Sequence, residues 1–370
     1  MSGTGRIVIE GIGGVGGFGC GIHDLSRALT ESACSPGTLA LSTGSGPVTI
    51  PAFRADVSRL EEFLPVRTLR RIDRFSQLGL LGSHLALADA ELPEAERSRL
   101  GIIVASGYGA TGTTYAFLKS FIDDGDICAS PTSFANSVHN SAAAHISIQL
   151  GAKGPNLTVS DFHLSVPSAL ATARIWLAEE RVQRVLFGAV DELSELIGYI
   201  QHRTRDASTD APMTPLQTEM ETSIPAEGAA FLLLARESAS RGGYCTLEAS
   251  TTGSVPIPGF PYPEPGLLVL GADGRRESGR RYAALAENAR IACYTPLYGS
   301  MAAGPAFDLA AAALILKGGS IFPSPGSAFR DFPATVPGGG DPVGADRISC
   351  LTLAGDEAYG LTTLGRVDSQ

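Results

Sequence analysis

The sequence predicts an α/β protein with parallel, helix-covered sheets arranged as two related halves. Three observations carry this. First, 44% of the 370 residues are hydrophobic against 18% charged, and the 44 glycines and 23 prolines follow no collagen-like period, which disfavours disordered, coiled-coil and fibrous classes. Second, short β-branched runs alternate with longer helical-period segments, the order expected of parallel sheets. Third, the alternation begins again, more briefly, after the run AFLLLA at Ala230–Ala235. The expected division is 1–240 for the N-terminal half and 241–370 for the C-terminal half, around one core.

The elements follow in order. Arg6–Glu10 (RIVIE) reads as a buried strand entering a glycine turn, with a helix through Leu25–Leu29. A longer helix covers Asp73–Ala90, where Phe75, Leu78, Leu81 and Leu85 recur at near-helical spacing. Then come a strand at Gly101–Ala105, a helix from about Thr113 to Ile122 and another over Asn136–Leu150. A strand at Asn156–Val159, a helix over Val166–Glu180 and a strand at Arg184–Phe187 complete this half. The second half offers strands at Cys245–Ala249, Leu267–Leu270 and Arg290–Cys293, a helix over Phe307–Leu316, and strands at Ile348–Leu353 and Leu361–Val367. The Pro/Gly-rich stretches Val255–Gly266 and Pro323–Gly344 read as surface loops.

Charge and cysteine usage narrow the partners. The formal net charge is −10 and the one dense basic run is Arg67–Arg74, so general nucleic-acid binding is disfavoured. Six scattered cysteines without CxxC or histidine spacing fit a reduced, cytoplasmic chain with no metal. No run reaches 18 apolar residues, so neither export nor a membrane span is expected. The histidines are His23, His84, His139, His145, His163 and His202, and none follows. Imidazole chemistry must therefore come from the first half. His139 and His145 read as buried structural histidines flanking Ala142–Ala144, and Asp191, Glu192 and Glu195 as a solvated helix start.

Two motifs carry competing readings. Gly11, Gly13 and Gly16 satisfy GxGxxG after a strand, which in a dinucleotide site opens a helix onto a pyrophosphate. Here glycines continue through Gly21 and no acidic residue ends a second strand, so a tight strand-to-helix turn is preferred and no cofactor is expected. The segment Ser160–Ser165 (SDFHLS) joins a strand to a helix, where strained elbows present nucleophiles. Its summit is Phe162, which has none. Ser165 beside His163 suggests a hydrolase, but Ser165 followed by Pro167 also reads as an N-cap with proline in the first turn.

Four long segments, RIDRFSQLGLLGSHLALADAEL from Arg71, PTSFANSVHNSAAAHISIQLGAKGPNLTVS from Pro131, RVLFGAVDEL from Arg184 and AEGAAFLLLARESASRGG from Ala226, resemble the β-ketoacyl synthases. The resemblance implies a thiolase-like fold, two related α/β halves with a layered α-β-α-β-α core. The chemistry of the family does not carry over. Its nucleophilic cysteine corresponds to Phe162, its first histidine to Asp273, and its lysine and second histidine to Thr295 and Ser300. The glycine-rich gating turn is replaced by Ala354–Gly360.

A chain without nucleophile, imidazoles or ammonium lacks acylation, decarboxylation and oxyanion stabilisation together. Within the family this resembles the chain length factor, or ketosynthase β subunit, of type II polyketide synthases, of the kind found in polyene or reducing systems. That likeness implies a heterodimer with a catalytic ketosynthase and work on chains carried by an acyl carrier protein. It implies that the strand after the helix following TVS pairs or packs across a two-fold interface, and that Phe134 reaches towards the partner. Tyr108, Thr111 and Tyr115 are expected to line the end of a product tunnel, and Phe162 to plug a buried elbow. The enzymatic alternative is a remodelled acyltransferase or hydrolase using Ser165 or a displaced cysteine such as Cys293. A third reading is a self-paired pseudoenzyme that stabilises some other complex.

Overall fold

The computed structural model describes residues 5–206, 211–216, 218–254, 266–286, 289–326, 339–344, 346–355 and 357–367. In chain order the elements are β1 (Ile7–Gly16), β2 (Gly19–Cys20), α1 (Ile22–Glu31), β3 (Gly37–Thr43), β4 (Gly46–Ala52), α2 (Val66–Leu69), α3 (Arg74–Asp89) and α4 (Glu94–Arg97). They continue with β5 (Gly101–Ala105), α5 (Thr111–Asp124), α6 (Pro131–Asn136), α7 (Ser141–Leu150), β6 (Asn156–Val159), α8 (Ser165–Ala178), β7 (Arg184–Asp191) and α9 (Glu195–Thr204). The last are β8 (Gly228–Arg236), β9 (Cys245–Ser254), β10 (Leu267–Leu270), α10 (Arg276–Ala286), β11 (Arg290–Ala292), α11 (Gly304–Gly318), β12 (Arg347–Ala354) and β13 (Ala358–Gly365).

The long strands hydrogen-bond in the order β11-β10-β12-β13-β9-β1-β8-β7-β5-β6, the β1–β9 contact joining a sheet from each half. Pairing is parallel at β5–β6, β5–β7, β10–β11 and β10–β12, and antiparallel where β8 and β13 return. The period-2 alternation of the strands assigns the layers. On β7, Val185, Phe187 and Ala189 share a core with α8 residues Val166, Leu170 and Ala173, and with Phe307, Ala311 and Ile315 of α11. Leu186 and Val190 point the other way, onto Leu78 and Leu81 of α3 and Ile146 of α7. In the second half Leu267 and Val269 join the central core while Leu268 and Leu270 meet Tyr282 and Leu285 of α10. The result is the α-β-α-β-α sandwich of the thiolase-like fold, with α8 and α11 between the sheets.

Several expectations are corrected. Gly11, Gly13 and Gly16 lie inside β1, not in a turn. A Cβ on Gly11 would stand 2.5 Å from the Ala86 carbonyl oxygen and one on Gly13 2.2 Å from that of Gly82, so these glycines let α3 lie directly on the strand. The helix expected over Asn136–Leu150 is two, α6 and α7, separated by Ser137–Asn140. His139 is consequently exposed on the connection, whereas His145 is half-buried and 3.3 Å from Asn136 Oδ1. β7, the strand after α8, is interior between β8 and β5, so it cannot pair across an interface. The open edge is β6, hydrogen-bonded to β5 alone among the described residues. The β3–β4 hairpin, packed on Leu193 and Ile197, was not foreseen. The loops expected at Val255–Gly266 and Pro323–Gly344 fall largely on 255–265 and 327–338, outside the described residues.

One buried carboxylate ties the first half together. Glu227, with no exposed side-chain surface, accepts Arg54 Nε at 2.8 Å and Arg74 Nε and Nη2 at 2.9 and 2.6 Å. It also accepts the backbone N–H groups of Ala55 and Leu193, both at 3.2 Å. Removing one partner of a buried charge cluster leaves the others unpaired, at a cost of about 3–5 kcal/mol. Glu227→Ala is expected to lose that much in urea denaturation. A loss under about 1 kcal/mol would show that the cluster contributes little.

Candidate functional site

β6 ends at Val159 and α8 begins at Ser165, leaving a tight connection whose summit, Phe162, has φ 43°. A bulky residue in the left-handed region is strained, as expected at an elbow. Ser165 Oγ holds the turn: it accepts the Asp161 N–H at 2.8 Å and lies 2.8 and 3.0 Å from the carbonyl oxygens of Phe162 and Ser106. Ser165 is 1% exposed and serves the backbone, but it is the first residue of α8 and not its N-cap, which is Leu164 without a side-chain cap hydrogen bond.

The expected burial of Phe162 is overturned. Its side chain is 64% exposed, resting edge-on against Tyr108 at 6.0 Å between ring centroids. The space beneath the elbow is already taken. Gly107 sits against the Phe162 backbone, and a Cβ on Gly107 would lie 2.3 Å from Ala302 Cβ.

Beside the elbow opens a cavity of about 520 Å³ lined by Tyr108, His163, Asp273, Arg275, Thr295 and Asp308, among others. Of the positions implied by the family resemblance, Asp273 and Thr295 line it. Ser300 Oγ donates to Asp273 Oδ2 at 2.6 Å, and Arg275 Nε donates to the same oxygen at 3.1 Å. The Thr295 hydroxyl donates to the Ala272 carbonyl. Asp273 thus accepts two donors, and the Thr295 hydroxyl is engaged with the backbone. Burial pushes the His163 imidazole down to about 4, with Arg275 adding to the shift and Asp273 opposing it, so the ring is neutral through the physiological range. Asp308, fully buried and hydrogen-bonded by the Tyr298 hydroxyl, is pushed up by burial to about 7. Burial likewise pushes the Cys293 thiol up to about 12, which removes it as a thiolate at neutral pH. Arg275 and Asp308 escaped sequence reasoning; the only signal was the Asp273–Gly274 turn that brings Arg275 back over Asp273.

The other singled-out residues lie along β5, α5 and α6. Tyr108 is half-buried at the cavity, and α5 begins at Thr111, two residues before the Thr113 start read from the sequence. The Thr111 hydroxyl is engaged, 2.9 Å from Ser194 Oγ and 3.4 Å from Glu192 Oε1. Tyr115 is exposed, as is Phe134, whose ring packs on Phe117. Asp191 and Glu192 are not a solvated helix start, since both are buried. Asp191 Oδ1 accepts Ser106 Oγ at 2.8 Å and the N–H groups of Gly107 and Tyr108 at 3.0 and 3.2 Å. Burial raises Asp191 to about 6 and Glu192 to about 7, against the hydrogen bonds that favour their ions. α9 starts only at Glu195, so β7 carries both carboxylates inward before the chain reaches solvent. Among the described residues, no helix is long and apolar enough to cross a membrane and no group of three His, Cys, Asp or Glu side chains is placed to hold a metal ion.

Residues 4–240 match the profile of the β-ketoacyl synthase N-terminal domain, and the chain belongs to that family. It is 33% identical over 99 residues to the 3-oxoacyl-[acyl-carrier-protein] synthase 2 of Staphylococcus aureus, a match over 26% of this chain and 25% of that protein. The match thus spans about a quarter of the relative's length. Among solved structures, the ishigamide ketosynthase/chain length factor is similar with a TM-score of 0.81 at 17% identity, covering 99% of this chain and 100% of that one. A chain from the complex of a ketosynthase with its chain length factor from Xenorhabdus doucetiae gives 0.78 at 15% identity, covering 98% of each. These likenesses show the fold.

Two outcomes follow from the geometry. Phe162→Gly relieves the left-handed backbone while losing an exposed ring contact, so urea stability of the chain should change by no more than about 1 kcal/mol; a loss above about 3 kcal/mol would mean the ring is buried. His163, with its proton affinity lowered on folding, should stay neutral by NMR at pH 5.5. Its protonation opposes folding, so a stability contribution present above about pH 6.5 disappears as pH falls towards 4.

Proposed function

We propose that this chain is a non-catalytic chain length factor that pairs with a catalytic ketosynthase and shapes the product tunnel of a type II polyketide synthase. The observation that carries the reading is the elbow. Where the family places a thiol, the chain presents Phe162, and Asp273, Thr295 and Ser300 are engaged with Arg275, the Ala272 carbonyl and one another. The alternative nucleophiles have the wrong environment, Ser165 being committed to the turn and Cys293 being fully buried and protonated.

A surface fitted to a partner supports the pairing. The open β6 edge carries Leu157, and nearby elements expose Leu118, Phe121 and Ile122 on α5, Phe134 on α6 and Ile148 on α7. An unpaired strand edge with a broad apolar surround is a liability in a monomer and a template in a complex. The partner is a cysteine-bearing ketosynthase, and the substrate is a chain tethered to an acyl carrier protein. Within this reading Tyr108 and Tyr115 line the tunnel end, Phe134 reaches to the partner, and residues 1–240 and 241–370 form the two halves. Thr111 acts there by holding the start of α5.

Three measurements test the proposal. Co-expression with a ketosynthase should give a stable heterodimer, and Leu157→Asp should abolish it; a well-behaved monomer that ignores the ketosynthase overturns the pairing. The isolated chain should accept no acyl group from an acyl carrier thioester, and Phe162→Cys should not restore condensation, because Asp273, Thr295 and Ser300 still supply neither imidazole nor ammonium. Robust acyl loading of the unmodified chain overturns the silent elbow. In the reconstituted complex Tyr108→Ala or Tyr115→Ala should lengthen the product by about one or two two-carbon units while the partner's acylation is unchanged. Altered yield at constant length would place the stop elsewhere.

A further inference from the structure

The end of β7 delivers two consecutive carboxylates into the interior, and the second has an arrangement that the proposed function does not use. Glu192 is 6% exposed. Its Oε1 accepts the Gly112 N–H at 2.5 Å and lies 3.4 Å from the Thr111 hydroxyl, so it caps the first turn of α5, a helix of 14 residues. The approach depends on glycine, since a Cβ on Gly112 would stand 3.1 Å from this same oxygen. The helix backbone itself forms the cover over the carboxyl group.

The surrounding charges do not favour an anion. Asp191 precedes it in the chain, Asp73 caps α3 close by, and Glu227 approaches from the start of β8. The cation on this side is Arg74, whose Nε and Nη2 are committed to Glu227 and the Ala55 carbonyl. The α9 side offers only the Ser194 hydroxyl, shared with Thr111. An ionised Glu192 thus has one backbone N–H, a distant hydroxyl and an Arg74 already bonded to Glu227 in place of water, with Asp73 and Glu227 opposing its charge.

We propose that Glu192 is a proton-dependent latch on α5: protonated, it stays under the helix start and the β5–α5 turn is closed; ionised, it draws water in and the first turn of α5 loosens. The sign follows from linkage. The enclosed carboxyl binds its proton more tightly than a hydrated one, at about 7 against 4.5, so deprotonation favours whichever state hydrates it. Lifting the Gly112 turn is the motion that does so. Because Leu118, Phe121 and Ile122 ride on α5, the latch sets how rigidly this apolar face is presented, whatever binds there.

Hydrogen exchange on the full chain, alone, tests this without a partner and independently of the proposed function. After correction for intrinsic rates, protection at the Gly112–Phe117 amides should fall about tenfold between pH 6 and pH 8. In Glu192→Gln it should be flat, and amides in α3 and α8 should show no such step in either protein. A flat wild-type profile, or the same slope in Glu192→Gln, overturns the latch. Should the variant fail to fold, carbon NMR of carboxyl-labelled wild type decides. A Glu192 titration centred near pH 7 in step with the exchange supports the latch, and one complete below pH 6 overturns it.

Discussion

A carboxylate with no exposed surface has to be matched by donors on every side, and Glu227 is so placed that its donors come from three separate parts of the chain. Arg54 and Ala55 fix the segment after the β3–β4 hairpin, Arg74 fixes the first turn of α3, and Leu193 fixes the exit of β7. The requirement is strict because an uncompensated buried charge costs far more than a hydrogen bond returns. Everything at the candidate site inherits its position from this knot. The β7 exit places Asp191 against the Ser106–Tyr108 turn and Glu192 under α5, and the Tyr108 ring meets Phe162 at the elbow.

The chemistry of the pocket follows from substitution by groups that satisfy each other. An acid–base site keeps a proton acceptor poised and exposed to substrate. Here Asp273 is tied to Arg275 and Ser300, His163 is neutral, and Cys293 is a buried thiol. The fold still builds the strained elbow with Phe162 in the left-handed region, although no nucleophile uses it. The strain persists because Ser165 and the connection into α8 require the same chain reversal.

The edge of β6 exposes Leu157, and the helices α5 and α7 expose Leu118, Phe121, Ile122 and Ile148. The distance in sequence from this edge to the elbow is small, as β6 leads directly into Phe162.

The sequence by itself determined the layers. Strands such as Gly101–Ala105, Asn156–Val159 and Leu267–Leu270 emerge with the expected bounds because period and β-branching are local properties. It also located the turn between the strand Asn156–Val159 and the helix that follows it. Only the tertiary structure decided which way those residues face. Phe162 points outward because Gly107 and Ala302 fill the space below it, and the glycines of β1 serve close packing of α3 because Ala86 and Gly82 meet them from the far side. Asp191 and Glu192 turn inward because the donors that receive them stand about 80 residues away in the chain. Burial, charge pairing and the resulting proton affinities are sums over such distant neighbours, and no local pattern of residue types contains them.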